Sequence, residues 1–394
     1  MTMRRIEIFD TTLRDGEQTP EVCLLLREKV ELAHALSDLG VDVVEAGFPA
    51  TAPAEAEAVS AIARSVRDVT VAALSRTTED DLTCAARALE GADRPRLHVF
   101  SSASEVHIRE IFRRTPEAVV ADAVRAVERA RAYVDDVEFS PQDATRSEPE
   151  FLLSFYDAVV AAGATVVNIP DTVGYAWPSQ MAHLVRRVRE RVPASVKVSV
   201  HCHDDLGMAV ANSLASLLAG ADQVECTING IGERAGNASL EEIVTAVRIR
   251  SDVLPFETGV KSDRLLSVSE RVEALTGVVV QPNKAVVGRN AFRHESGIHQ
   301  DGVLKSAATY EIIDPASVGT RTRMVIGKHS GRHALRQELE ALGLSVDDAS
   351  VRVIWQEVKA HATAGGDVGP EVLRAIAGRV LAAAETGAAA GGAR

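Results

Sequence analysis

Eight short apolar runs rich in β-branched residues recur along the chain: Ile6–Phe9, Val41–Ala46, Thr70–Leu74, Leu97–Phe100, Asp136–Phe139, Thr165–Ile169, Lys197–Val200 and Gln223–Thr227. The stretches between them, such as Glu28–Leu39, Pro116–Tyr133, Glu148–Ala162 and Ser179–Val192, return apolar side chains every three or four positions. This alternation predicts strand-helix units, and unbroken hydrophobicity within a run suits a strand buried on both faces of a parallel sheet. Eight such units in about 250 residues match an α/β fold of the closed (β/α)8 TIM barrel type. An open doubly wound sheet is the alternative.

Polar residues favour closure, because they gather where each run ends. Asp10, Arg14 and Asp15 follow the first, Glu45 ends the second, and Ser75 and Arg76 follow the third. Ser101 and Ser102 follow the fourth, Ser140 and Gln142 the fifth, and Asn168 and Asp171 the sixth; His201 and His203 end the seventh. Asn229, Glu233 and Asn237 follow the eighth. In a barrel these ends converge on one mouth, where barrel enzymes keep their active sites.

The alternation stops near residue 275. We expect a catalytic barrel over 1–275, a connector over 276–336, a helical cap over 337–385 and a disordered tail over 386–394. Residues 281–336 hold nine Lys or Arg against four acids, a local +5 within a chain of net charge −13. That acidic total, with only 4% aromatic residues, argues against a general nucleic-acid binder. The four cysteines show no CxxC pair, so no disulfide framework is expected and a reducing compartment fits. The N-terminus reaches charged residues too soon for a signal peptide, and Asp157 and Gly163 interrupt the longest apolar run, Leu152–Ile169. A soluble, cytoplasmic protein without membrane partners is the expectation.

His201 and His203 stand two apart at a strand end, so both imidazoles face one side. With Asp15 and the amide of Asn237 at other strand ends they form a mixed N/O set suited to Mg2+, Mn2+ or Zn2+. An HxH pair can also arise by coincidence. The segment Asn229 to Asn237 carries Gly230, Gly232 and Gly236, but its third glycine falls one position late for a dinucleotide fingerprint. Its backbone N–H groups could hold a phosphate or shape the mouth; a plain tight turn is the alternative. His107, after the fourth run, either lines the mouth or opens a surface helix. Arg76 is the candidate cation for an acceptor with a second anionic end.

Several longer motifs occur in order: DTTLRDGEQ from Asp10, GFP from Gly47, FSPQDATRS from Phe139, NIPDTVGY from Asn168, HCH from His201, HESGIHQDG from His294 and GKHSGR from Gly327. Together they resemble the 2-isopropylmalate and homocitrate synthase family, metal-dependent barrels that condense acetyl-CoA with a 2-oxo acid. The wording is most similar to the 2-isopropylmalate branch. The resemblance implies Asp15, His201, His203 and Asn237 as metal ligands and Arg14 beside the reacting carbonyl. It further implies Gln18 and Thr172 around the 2-oxo acid and His299 and Tyr310 in acid/base work; Ser140, at its strand end, is a further candidate substrate contact, and a homodimer formed through the cap is expected. Acetyl-CoA would be the co-substrate, with Arg289 and Arg293 of the basic segment compensating its phosphates. Arg14 has a salt bridge to Asp10 as its alternative role, His299 a core position, and Tyr310 simple packing.

The implied acceptor is 2-oxoisovalerate. Another 2-oxo acid, as in homocitrate, citramalate or phosphonomethylmalate synthesis, is the alternative, as are a retro-aldol acyl-CoA lyase and a non-catalytic sensor. Three departures from the family pattern stand out. Glu21 follows Pro20 where glycine is usual, Asp204 replaces an amide, and Gln142 replaces a glutamate.

Overall fold

Each apolar run is a parallel strand: β1 (Glu7–Asp10), β2 (Val43–Gly47), β3 (Thr70–Ser75), β4 (Pro95–Ser102), β5 (Asp136–Gln142), β6 (Val166–Asp171), β7 (Lys197–Cys202) and β8 (Gln223–Cys226). The strands pair in sequence order, and β1 meets β8 with Glu7 opposite Gln223 and Asp10 opposite Cys226, which closes the barrel. The open-sheet alternative is thereby excluded. The computed structural model describes residues 3–391, and the chain divides into two compact units, Met1–Val280 and Gln281–Arg394.

Helices α1 (Leu26–Leu39), α2 (Pro53–Ser65), α3 (Glu79–Ala88), α4 (Pro116–Arg131), α5 (Pro149–Ala161), α6 (Pro178–Arg191), α7 (Ala209–Ala219) and α8 (Leu240–Ile249) follow the strands in turn. Proline in the first turn of α2, α4, α5 and α6 fits positions whose N–H has no helical partner. Their apolar stripes, such as Leu32, Leu36 and Leu39 of α1, are fully buried. A ninth helix, α9 (Leu265–Thr276), ends the first unit.

The barrel interior is only partly apolar. Phe9, Val43 and Ala72 form one small cluster. Below the mouth, buried Arg96 reaches Gln223 at 2.7 Å, Asp136 at 2.8 Å and Glu138 at 3.1 Å. A buried arginine is tolerable because each of these partners offsets part of its lost hydration.

The second unit contains a two-stranded parallel ladder, β9 (Arg293–His294) with β10 (Arg323–Met324), and helix α10 (Gly297–Lys305). Helices α11 (Arg332–Ala341), α12 (Asp348–Thr363) and α13 (Pro370–Gly391) close over Leu335, Ile354, Leu373 and Ala377. Residues expected to form a separate connector and cap thus fall in one unit. The expected disordered tail begins inside α13, where alanine-rich sequence favours helix; residues 392–394 lie outside the described residues. No helix among the described residues is long and apolar enough to cross a membrane.

Candidate active site at the barrel mouth

Asp15 sits in the turn after β1, His201 on β7, His203 just beyond it, and Asn237 in the loop after β8. An isolated bridge between His203 and Asn237 ties the last two segments together. All four residues are buried. Asp15 Oδ2 lies 3.8 Å from His201 Nε2 and 3.9 Å from His203 Nε2, and Asn237 Nδ2 donates to Asp15 Oδ1 at 2.8 Å.

The outer ring nitrogens hold the two rings in place. His203 Nδ1 lies 3.1 Å from the Gly236 carbonyl, which can only accept, and His201 Nδ1 lies 2.8 Å from Glu225. With Nδ1 of each ring so engaged, the two Nε2 atoms face each other at 3.1 Å. Burial holds both imidazoles down to about pKa 4, so they are neutral at pH 7. Burial alone would raise the Asp15 carboxyl, but Arg14 and the two histidines outweigh it and hold it well below the usual range.

Two of the three glycines expected to cradle a cofactor, Gly232 and Gly236, are packed tightly against their surroundings. A Cβ on Gly232 would collide with Asn237 and come within 2.9 Å of Asp15 Oδ1, and one on Gly236 would strike the Gly230 carbonyl. Their bare backbones let the loop close upon the ligand cluster.

Above the cluster lies a cavity of about 160 Å3 lined by Arg14, Gln18, Phe48, Leu74, Phe100, Ser140, Gln142, Asn168 and Thr172 as well as the histidines. Arg14 pairs with Glu45 through Nε and with Asp15 through NH1, each at 2.6 Å. Asp10 instead accepts from Thr12, which removes the Arg14–Asp10 alternative. Sequence reading overlooked His98, whose lone imidazole within an apolar run resembles a core residue. His98 Nδ1 meets Glu45 at 2.7 Å and Nε2 meets Ser140 Oγ at 2.7 Å. Burial would lower His98, but Glu45 outweighs it and raises the imidazole to about 9, so both ring nitrogens donate. Ser140 Oγ therefore accepts from His98 and, at 2.9 Å, from Asn168 Nδ2. Its own hydrogen is left to point into the cavity. Thr172 Oγ1 likewise accepts from the Asp143 N–H at 2.8 Å and keeps its hydrogen to donate.

His98, Glu138 and Glu225 form a second compact group. Both nitrogens of His98 are already engaged, and burial pushes Glu138 and Glu225 upward, so this group reads as a hydrogen-bonded floor. Gln142 lines the cavity, and its carbonyl is held by Ser102 Oγ and the Ala103 N–H, both at 3.1 Å. Asp143 has turned into the left-handed region (φ 65°), where Arg146 grips its carboxylate at 2.8 Å through both Nε and NH2.

Two expected ligand contacts fall outside the cavity lining. Arg76 is half exposed and bound to Asp81 at 2.5 Å, since the first turn of α3 presents a carboxylate five residues on. His107 bonds Ser102 Oγ at 3.0 Å and faces Asp143. In the second unit, His299 stacks on Tyr310 with ring centroids 3.9 Å apart, and both are exposed. Arg289 is exposed, as is Arg293 on β9.

Residues 5–272 match the HMGL-like family, and residues 286–366 match the homocitrate synthase post-HMGL domain-like family. The 2-isopropylmalate synthase of Methylococcus capsulatus is 52% identical over 97% of this chain and 75% of its own length. That of Pyrococcus furiosus is 53% identical over 90% and 72%. The barrel also resembles the solved hydroxymethylglutaryl-CoA lyase of Pseudomonas aeruginosa, with a TM-score of 0.62 and 24% identity over 71% of this chain and 96% of that one. An HMGL-like barrel with a buried Asp-His-His cluster at its mouth defines the class. Within it, the chain belongs to the 2-isopropylmalate synthase family and is an enzyme of that family's transferase class.

Proposed function

We propose that this chain condenses acetyl-CoA with 2-oxoisovalerate to give 2-isopropylmalate and free CoA. The observation that carries the reading is the buried set of Asp15, His201, His203 and Asn237 beside the cavity. It suits a divalent ion: two imidazole Nε2 atoms face each other beside Asp15, and the buried Asn237 Oδ1 has no hydrogen-bond partner among the described residues. Such an ion, when bound, supplies Lewis acidity to the acceptor carbonyl.

The chain's own groups would do the rest. Ser140, Thr172 and Gln18 offer hydrogen-bond donors to the acceptor carboxylate. Arg14 places fixed positive charge where negative charge grows on the keto oxygen. His299, stacked on Tyr310, would take a proton from the acetyl methyl group, whose carbon then bonds the keto carbon. The keto oxygen gains a proton, and water cleaves the thioester to release the CoA thiol. Phe48, Leu74 and Phe100 suit a branched aliphatic side chain.

Gln142 favours a second reading, in which the same chemistry acts on a different 2-oxo acid, because its amide brings donors as well as an acceptor to the wall. A panel of 2-oxo acids assayed with acetyl-CoA for thiol release tests both. Fastest release with 2-oxoisovalerate supports the first, and another acceptor the second. A lyase would release no thiol but would cleave a 3-hydroxyacyl-CoA to acetyl-CoA and a carbonyl compound, and a sensor would bind without turnover. A cytoplasmic homodimer is the proposed form; four unpaired cysteines support a reducing compartment.

A further inference from the structure

In the ladder of the second unit, Arg293 on β9 stands directly opposite Arg323 on β10. The two faces of the ladder are sorted by Glu311. His294 Nε2 lies 3.0 Å from its Oε1 and Thr322 Oγ1 2.7 Å from the same oxygen, so His294 and Thr322 share a face. Alternation along the strands then turns Arg293 and Arg323 toward the opposite face, and Arg321 stands two residues before Arg323.

All three arginines are exposed, and none has an ion pair or side-chain hydrogen bond among the described residues. Glu311 is engaged on the far side, and Glu295, the next acid along β9, lies along Gly327. Like charges placed opposite each other across a ladder are destabilising, so the arrangement calls for an external anion. Guanidinium forks match phosphate oxygens in pairs, and the segment around them carries +5 in a chain of −13.

We infer that Arg293, Arg321 and Arg323 form a binding site for phosphate groups, occupied by the nucleotide end of the CoA thioester. The choice of CoA rests on the function proposed above; the shared chemistry, a phosphate ester on three arginines, does not.

Calorimetric titration of the full chain with CoA, pantetheine and inorganic pyrophosphate tests this. Arg321→Gln/Arg323→Gln should weaken CoA at least tenfold while changing pantetheine less than twofold, and Arg321→Lys/Arg323→Lys should retain part of the affinity. Unchanged CoA affinity in the Gln double variant, with the circular dichroism of the parent, overturns the site. Pyrophosphate binding as tightly as CoA, with the same tenfold loss, overturns the nucleotide assignment. If thiol release fails for every acceptor while CoA still binds through these arginines, the condensation reading falls and the site stands.

Discussion

The Nε2 atoms of His201 and His203 lie 3.1 Å apart with both Nδ1 atoms engaged elsewhere, by Glu225 and by the Gly236 carbonyl. With Asp15 these two nitrogens would hold a divalent ion. Glu225 thus orients the His201 ring from behind. Glu225→Gln should lower divalent-ion affinity about 10- to 100-fold, read by competition with a fluorescent chelator. Affinity equal to the parent would remove Glu225 from that role.

His98 and Glu45 give a pH dependence of definite sign. The folded imidazole titrates near 9 against an ordinary 6.5, so the folded state holds the extra proton between those values. Stability from this pair is complete below pH 6.5 and is lost as pH rises through 9, by an amount on the order of 3 kcal/mol. Denaturant unfolding of the parent should weaken over that window, and His98→Asn should flatten the slope. An equal slope in both proteins would place the charge elsewhere.

Lys29 is buried and binds Glu17 at 2.6 Å and Glu55 at 2.7 Å. Glu17 accepts the Leu24 N–H and Glu55 the Phe48 N–H, so one ammonium joins the loops after β1 and β2. Lys29→Met strands two carboxylates and should cost about 3–5 kcal/mol of stability. A loss below about 1 kcal/mol in urea unfolding would show that the loops hold without it.

Gln142 supplies no charge, and Asp143 cannot replace it because Arg146 holds its carboxylate. Gln142→Glu should therefore speed exchange of the acetyl methyl protons with solvent, followed by NMR. Severalfold slower condensation in that variant would instead mark Gln142 as suited to another acceptor.

The barrel was legible because each strand is buried on both faces, which leaves an apolar run in the sequence. Strand ends were less so: β4 runs from Pro95 to Ser102, past the apolar stretch Leu97–Phe100, because ladder bonds to β5 continue through polar residues. The buried cluster at the mouth was legible through two imidazoles one strand period apart, although Asp15 and Asn237, which the fold brings together, are 222 residues distant. His98 was missed, since neither Glu45 nor Ser140 neighbours it in sequence. The pairing of Arg76 with Asp81 was not anticipated, although the two stand only five residues apart.

Thiol release from acetyl-CoA and 2-oxoisovalerate, measured on chelated protein as a divalent ion is titrated back, tests the central claim most directly. The account predicts no release after chelation, recovery on adding the ion, and dependence on the 2-oxo acid. Undiminished release from the chelated protein, or equal release without the 2-oxo acid, would contradict it.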